Sequence, residues 1–462
     1  MSTSSVSSSI FKAYDIRGVV DDALTSDAVR LIGAALGSEA VERKVPAICV
    51  GRDGRLSGPL LRDALVAGIV STGTDVADVG MVPTPVLYFS TVRLETGSGV
   101  EITGSHNPPE YNGLKMMMAG VTLHGDAIQS LRGRIEAGRL LRSARPGTVR
   151  SADVLPAYLE AIRSTVELAR PMKIAVDCGN GVAGPTAVAL YRALGCEVVE
   201  LFTDVDGSFP NHHPDPAHPE NLQDLIRALR ETDGELGLAF DGDGDRLGVV
   251  TKDGQIIFPD RQIMLFAQDI LSANPGGEII FDVKCTRRLA PWIRERGGRP
   301  TMWRTGHSLI KAKLKESGAP FAGEMSGHLF FNDRWPGFDD GLYAGARLLE
   351  ILSRSRNPSA VLNALPSAVS TPELHLHTAE GENFALIDRL KSRARFDGAE
   401  QIITIDGVRA EWADGFGLAR PSNTTPVVVL RFEGDTPEAL ARIQAAFRRA
   451  IVEVAPEARL PF

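Results

Sequence analysis

One pattern recurs three times along this chain and limits what it can fold into. An apolar, strand-like run leads into a polar loop at residues 46–53, again at 173–179, and again at 278–284. Each block then offers a second short strand ending in a Gly-rich loop, at 98–106, 237–243 and 320–328. A period of about a hundred residues means repeated domains, because solenoid units run roughly 20–50 residues. Strand-like runs alternate with amphipathic helical stretches through the first three quarters, the signature of parallel α/β layers. The expectation is three related mixed α/β domains, each presenting one loop at the carboxyl end of a strand, where open α/β sheets bind ligands. The last stretch differs. Strand-like residues 373–377, 401–405 and 426–432 precede a helical run that starts at Thr436, with Glu438 in its first turn. That reads as a smaller C-terminal α+β domain. The expected boundaries are 1–151, 152–253, 254–365 and 366–462.

Composition fits this division. With 462 residues, 43% hydrophobic and 23% charged, the chain can bury several cores. Its formal net charge is −8 and its basic residues are dispersed, so no broad field attracts nucleic acid. Any phosphate must then be bound by local sites. Cys49, Cys178, Cys196 and Cys285 lie far apart without metal-type spacing, and the first three, in or beside apolar segments, read as buried thiols of a reducing compartment. The serine-rich N-terminus reads as a short disordered tail rather than a signal peptide. No apolar run approaches the roughly 18 residues of a membrane span. A cytoplasmic protein without membrane or nucleic-acid partners is expected.

Two loops carry the strongest chemistry. Ser105 sits in Thr103-Gly104-Ser105-His106-Asn107-Pro108-Pro109, straight after an apolar stretch. A serine held in a turn beside an imidazole can act as a covalent nucleophile, and Asn with a double Pro would fix that turn. A capped Ser/Asn turn is the plainer reading. Lys115, which follows the turn Tyr111-Asn112-Gly113, could return a cation to the serine. No Gly-x-Ser-x-Gly elbow surrounds it, so an α/β-hydrolase is excluded. The second loop, Asp241-Gly242-Asp243-Gly244-Asp245-Arg246, alternates three carboxylates with glycine and ends on an arginine. Three oxygen donors suit a hard divalent cation, and arginine suits phosphate. An EF-hand is rejected, because its Gly and Glu places, counted from Asp241, hold Arg246 and Lys252. Carboxylates so crowded repel one another unless a cation neutralises them. A serine nucleophile with a magnesium-type site suggests phosphoryl transfer.

Weaker motifs join them. Glu324, Ser326 and His328 alternate, which in an extended segment puts them on one side, able to grasp sugar hydroxyls and transfer a proton. A polar strand edge explains the same spacing. Arg420-Pro421-Ser422-Asn423-Thr424-Thr425-Pro426 joins a cation to several short donors, a set that can hold phosphate or simply form an Asx/Ser turn. Thr305-Gly306-His307-Ser308 opens a helical stretch, where capping and ligand contact can coexist. Two motifs are read as decoys. Gly179-Asn180-Gly181-Val182-Ala183-Gly184, with Glu200 beyond it, fits a dinucleotide fingerprint, but its glycines serve close strand–helix packing equally well. The proline-punctuated run from His212 to His218 lacks cysteine and reads as a rigid surface loop rather than a zinc site. His375 and His377 read as one solvated strand face.

Taken together, these residues resemble the α-D-phosphohexomutase superfamily, and within it the bacterial phosphomannomutase/phosphoglucomutase group. The resemblance runs from Ala13-Tyr14-Asp15-Ile16-Arg17-Gly18 to the loop at Arg420, with the serine, acidic and Gly-Glu324-Met-Ser-Gly-His328 motifs in chain order. It implies four domains around a central cleft and interconversion of hexose 1-phosphate and hexose 6-phosphate, mannose or glucose, through a phosphoserine and a 1,6-bisphosphorylated sugar. By similarity, Ser105 would carry the phosphate, and Asp241, Asp243 and Asp245, with Ser105, would hold Mg²⁺. Arg17 and Arg246 would flank the transferring group, and His106, Lys115 and His328 would move protons or stabilise charge. Tyr14, Lys284, Thr305, Gly306, His307, Glu324 and Ser326 would contact substrate. Arg420, Ser422, Asn423 and Thr424 would grip the phosphate that is not reacting. A hexose 1,6-bisphosphate activator, small sugar phosphates as partners and a monomeric state complete the expectation. A phosphoglucosamine mutase and a serine- and metal-dependent sugar phosphatase remain as alternatives.

Overall fold

The computed structural model describes residues 6–462, which fall into two compact units. The first takes in the described chain up to Pro259 together with Lys311–Gly318 and Ser326–Ala364. The second comprises Asp260–Ile310, Ala319–Met325 and Leu365–Phe462.

The first unit contains two sheets. In one, Ala47–Arg52 lies parallel to Asp75–Met81 and Gly99–Ile102, while Tyr111–Met118 runs antiparallel to Gly99–Ile102 and Ile16–Val19. Its central strands are buried on both faces, which is why they read as unbroken apolar runs. Helix Ser26–Glu42 starts where Thr25 accepts the Ala28 amide and Asp27 complements the first turn. That helix and Gly58–Val70 seal an aliphatic core of Ile32, Leu36, Leu61 and Leu65. In the other sheet, Lys173–Asp177 lies parallel to Leu236–Phe240 and Glu197–Leu201. Leu236–Phe240 then folds back antiparallel on Leu247–Thr251, with Phe240 opposite Leu247. Residues 241–246 are therefore a hairpin loop pinned at both ends by fully buried strands.

In the second unit Glu278–Asp282 lies parallel to Arg299–Trp303 and Phe321–Gly323. The C-terminal part is antiparallel: Leu374–His377 and Gly415–Pro421 flank Val427–Gly434, and Val408–Trp412 and Gln401–Ile403 extend the sheet. Helices Glu382–Arg393 and Pro437–Val454 cover one face, and Thr436 caps the latter as the sequence indicates. Buried arginines tie this sheet to the rest of the unit. Arg409 donates to the carbonyls of Val283 and Cys285, and Arg431 pairs with Asp260 at 3.2 Å.

The threefold pattern of the sequence has a direct structural counterpart. In each repeat the first strand lies parallel to the strand that precedes the Gly-rich loop: 47–52 with 99–102, 173–177 with 236–240, and 278–282 with 321–323. The fold is thus multi-domain mixed α/β with a smaller antiparallel α+β region. All four cysteines are buried. Among the described residues, no helix is long and apolar enough to cross a membrane.

Candidate active site

The candidate reacting centre lies within the first unit. Ser105 follows strand Gly99–Ile102 with φ +49°, a left-handed conformation that a non-glycine residue adopts only when its surroundings impose it. The imposing group is Arg55. Its buried guanidinium donates to the carbonyls of Ser105 (2.8 Å), Asn107 (2.6 Å), Pro108 (2.6 Å) and Tyr111 (2.9 Å), while Nε meets Asp53 at 3.2 Å. Four of the five donor contacts of the fork hold one loop, and the fifth, through Nε, goes to Asp53. Sequence reasoning missed this residue. The available signal was Gly51-Arg52-Asp53-Gly54-Arg55, a charged run directly after a buried strand.

So fixed, Ser105 is only 1% exposed. Its hydroxyl donates to Asp241 Oδ2 at 2.9 Å and lies 3.1 Å from His106 Nδ1. Gly242 makes the approach feasible, since a Cβ there would fall 2.3 Å from the Ser105 carbonyl oxygen. Asp241, Asp243 and Asp245 are wholly buried, and each offers an oxygen within 4.8 Å of the others. Asp243 Oδ1 is buried with no hydrogen-bond partner. A hard divalent cation would satisfy that donor set, so these residues fit a metal ion. Burial and the neighbouring carboxylates push Asp241 well above the usual carboxylate range. Burial acts the same way on Asp245, but Lys115 and His328 outweigh it and hold Asp245 well below that range.

Cations close the centre. Lys115 Nζ donates to Asp243 at 2.6 Å and also to Asp245. Burial opposes its ammonium, yet Asp243, Asp245 and Asp241 outweigh that cost and raise its pKa. Lys115 is therefore a fixed positive charge. His106 behaves oppositely: burial first, then Arg246, Arg17 and Lys115, push it well below its ordinary value, leaving a neutral imidazole. Arg17 donates to Asn107 Oδ1 and Asp15 Oδ2, both at 2.5 Å, which anchors it against the serine loop. Arg246 Nε lies 3.3 Å from His328 Nε2, and that nitrogen is 3.3 Å from Asp245 Oδ1. Ser326 Oγ is 3.1 Å from His328 Nδ1. Half-buried Tyr14 stands two residues before the strand that carries Arg17.

The residues expected to contact substrate form a second cluster, within the second unit. Thr305 Oγ1 donates to Asp282 Oδ2 at 2.9 Å, and the Gly306 amide donates to Glu324 Oε1 at 2.6 Å. Asp282 also accepts the Met325 amide, so one buried carboxylate braces both loops. His307 opens helix His307–Ser317. Lys284 pairs with Glu373 at 2.6 Å; burial opposes the carboxylate, but Lys284 brings Glu373 down to about 2. Arg420, near the end of strand Gly415–Pro421, is held through Nε by Asp406 at 3.0 Å. Ser422, Asn423 and Thr424 follow in a tight turn, where the amides of Thr424 and Thr425 point at Ser422 Oγ.

The structure corrects one local expectation and settles two decoys. Glu324, Ser326 and His328 do not alternate along an extended segment. The strand ends at Gly323, the chain turns through Met325–Ser326, and Gly327 has φ +100°. Glu324 consequently reaches Gly306, whereas Ser326 and His328 pair with each other. In the fingerprint-like run, a Cβ on Gly184 would fall 1.9 Å from the Thr203 carbonyl, so that glycine serves close packing. Glu200 is engaged by Arg192 at 2.6 Å. His212 is taken up by Asp177 at 3.0 Å, an internal brace.

Four family profiles match in chain order. They are the phosphoglucomutase/phosphomannomutase alpha/beta/alpha domains I (residues 8–142), II (156–254) and III (258–369), and the C-terminal domain (373–450). The chain is 59% identical over 448 residues to a phosphoglucomutase of Neisseria meningitidis, covering 97% of each. It is 56% identical to a phosphomannomutase/phosphoglucomutase of Pseudomonas aeruginosa, covering 98% of each. A solved structure of a phosphoglucomutase/phosphomannomutase family protein from Burkholderia thailandensis superposes with TM-score 0.94 at 61% identity, covering 99% of this chain and 100% of that one.

Proposed function

Because the chain belongs to the phosphoglucomutase/phosphomannomutase family, we propose that it moves a phosphoryl group between the 1- and 6-positions of glucose or mannose by way of a phosphoserine at Ser105. The observation that carries this reading is the Ser105 hydroxyl, clamped by Arg55 at its carbonyl and bonded at 2.9 Å to the first of three buried carboxylates. A nucleophile held in one geometry beside a divalent-cation site is what storage and return of a phosphoryl group requires.

Each half-reaction exchanges one P–O bond for another. Phosphoserine gives its phosphoryl group to the free hydroxyl of the bound hexose phosphate. The bond to Ser105 Oγ breaks, the bond to the sugar oxygen forms, the sugar hydroxyl loses its proton, and Ser105 Oγ gains one. His106, a neutral imidazole 3.1 Å from that oxygen, is placed to handle the serine's proton. Lys115, held charged, balances the carboxylates instead, and Arg17 and Arg246 stabilise the phosphoryl oxygens. Mg²⁺ held by Asp241, Asp243 and Asp245, with Ser105, would supply charge neutralisation for the same group. His328, bridged to Arg246 and Ser326, orients that arginine and is the remaining candidate for the sugar proton. The bisphosphorylated sugar then turns end for end and returns its other phosphate to Ser105.

In the second unit, Glu324 reads sugar hydroxyls with Thr305, Gly306, His307 and Lys284, while Arg420, Ser422, Asn423 and Thr424 grip the distal phosphate. Ser326 and Tyr14 are taken as further substrate contacts. The reading takes the protein to be a cytoplasmic monomer whose partners are small sugar phosphates and whose activator is a hexose 1,6-bisphosphate. The test supplies glucose 1-phosphate, Mg²⁺ and a trace of glucose 1,6-bisphosphate, and follows both glucose 6-phosphate and inorganic phosphate. Isomerisation without phosphate release supports the mutase; phosphate released in step with consumption makes it a phosphatase. Mannose and glucosamine 1-phosphates in the same assay rank the substrates.

A further inference from the structure

We propose that Asp406 is a positioning residue that ties the arginine of the distal-phosphate clamp to the loop that reads the sugar. The inference rests on the assignment of Arg420 as that clamp. Asp406 lies in the connection between strands Gln401–Ile403 and Val408–Trp412. The connection is pressed onto the neighbouring strand. Gly407 has φ +91°, and a Cβ there would lie 2.3 Å from the Ala419 carbonyl oxygen and 2.7 Å from Arg420 Cα. Glycine at 407 is what lets the Asp406 carboxylate come alongside Arg420.

One oxygen of that carboxylate serves two elements. Asp406 Oδ2 accepts from Arg420 Nε at 3.0 Å and from the Thr305 backbone amide at 3.0 Å. The Arg420 and Asp406 side chains are 6% and 7% exposed, so the pair is shielded from solvent and salt. Thr305 continues the chain of contacts, through its hydroxyl to Asp282 and through the next amide, Gly306, to Glu324. The carboxylate that reads hydroxyls and the guanidinium that takes phosphate are thereby joined by hydrogen bonds through Thr305 and Asp406. Capture of Nε fixes the plane of the guanidinium and directs its two-pronged edge, the edge that matches phosphate oxygens.

A positioning role differs from a merely structural one in what it changes. Asp406→Ala is expected to raise KM for glucose 1-phosphate roughly ten- to thirtyfold, the loss typical of one charge-assisted contact, with kcat within about threefold. Asp406→Asn, which keeps the shape and loses the charge, is expected to fall between, and serves should the alanine variant fail to fold. In an Arg420→Ala background, adding Asp406→Ala should change KM less than about twofold, because the group it positions is already gone. Raised KM in the single variants with no further loss in the double variant supports the inference. Unchanged KM in both single variants, or independent losses that multiply in the double variant, overturns it while leaving the clamp in place. Unchanged KM in Arg420→Ala itself overturns the clamp and this inference with it.

Discussion

The proposed reacting centre and the proposed recognition centre are built to opposite specifications. Around Ser105 the acidic loop and the lysine that meets it are buried and doubly held. Ser105 is 1% exposed, the three loop carboxylates are fully enclosed, and a lysine is locked between two of them. Charges packed so tightly interact strongly because water is excluded, and strain at Ser105 persists because Arg55 holds four carbonyls of that loop. Beyond Arg420 the turn is more open to solvent. Thr424 is exposed, Asn423 is half-buried, and single carboxylates, Asp282 and Asp406, brace the loops. Bond exchange demands geometry settled before substrate arrives, whereas a clamp must close on either end of a sugar and then release it.

That contrast is broken most directly by removing the nucleophile. Ser105→Ala should cut turnover at least about a thousandfold while calorimetry still finds glucose 1-phosphate bound; near-normal turnover would show that the buried loop does not carry the chemistry. Chelation with EDTA should silence activity almost as fully, restored by Mg²⁺, whereas substrate affinity should change far less. Arg55→Lys keeps a charge but loses the fork, and should lower kcat roughly ten- to a hundredfold with KM steady. A KM effect instead would erase the distinction between the two centres. Glu324→Gln should do the reverse in the recognition centre, raising KM more than it lowers kcat, by about tenfold.

The smallest effect concerns the support of the first unit. Asp340 caps helix Gly341–Leu352 and accepts from Tyr158, Trp335 and the Tyr343 amide. Burial, only partly offset by these donors, raises it from 3.8 to about 7. A carboxyl raised in the folded state contributes most below its unfolded value and loses that contribution as pH rises through its folded value. Thermal stability should therefore slope downward between about pH 4 and pH 7 by one group's worth, and Asp340→Asn should flatten it.

Much of this was legible in the residues. Strand runs buried on both faces read as continuous apolar blocks, so the threefold repeat and its loops could be placed from sequence. Ser105 and the Asp241–Asp243–Asp245 alternation stood out because few other purposes suit such residues in such loops. What escaped was support that acts through backbone groups. Arg55 makes four of its contacts to carbonyl oxygens, and Asp406 meets Thr305 a hundred residues away, and neither leaves a local pattern. The alternation of Glu324, Ser326 and His328 misled for the same reason, since the turn at Gly327 depends on tertiary packing rather than on spacing.

The account stands or falls on whether Ser105 takes up phosphate. Incubating the protein with glucose 1,6-bisphosphate and Mg²⁺, then mapping peptides by mass spectrometry, should find a single phosphoryl group on Ser105. That label should disappear in Ser105→Ala and be discharged by excess hexose monophosphate. A protein that interconverts the two sugar phosphates while Ser105 stays unmodified throughout would contradict it.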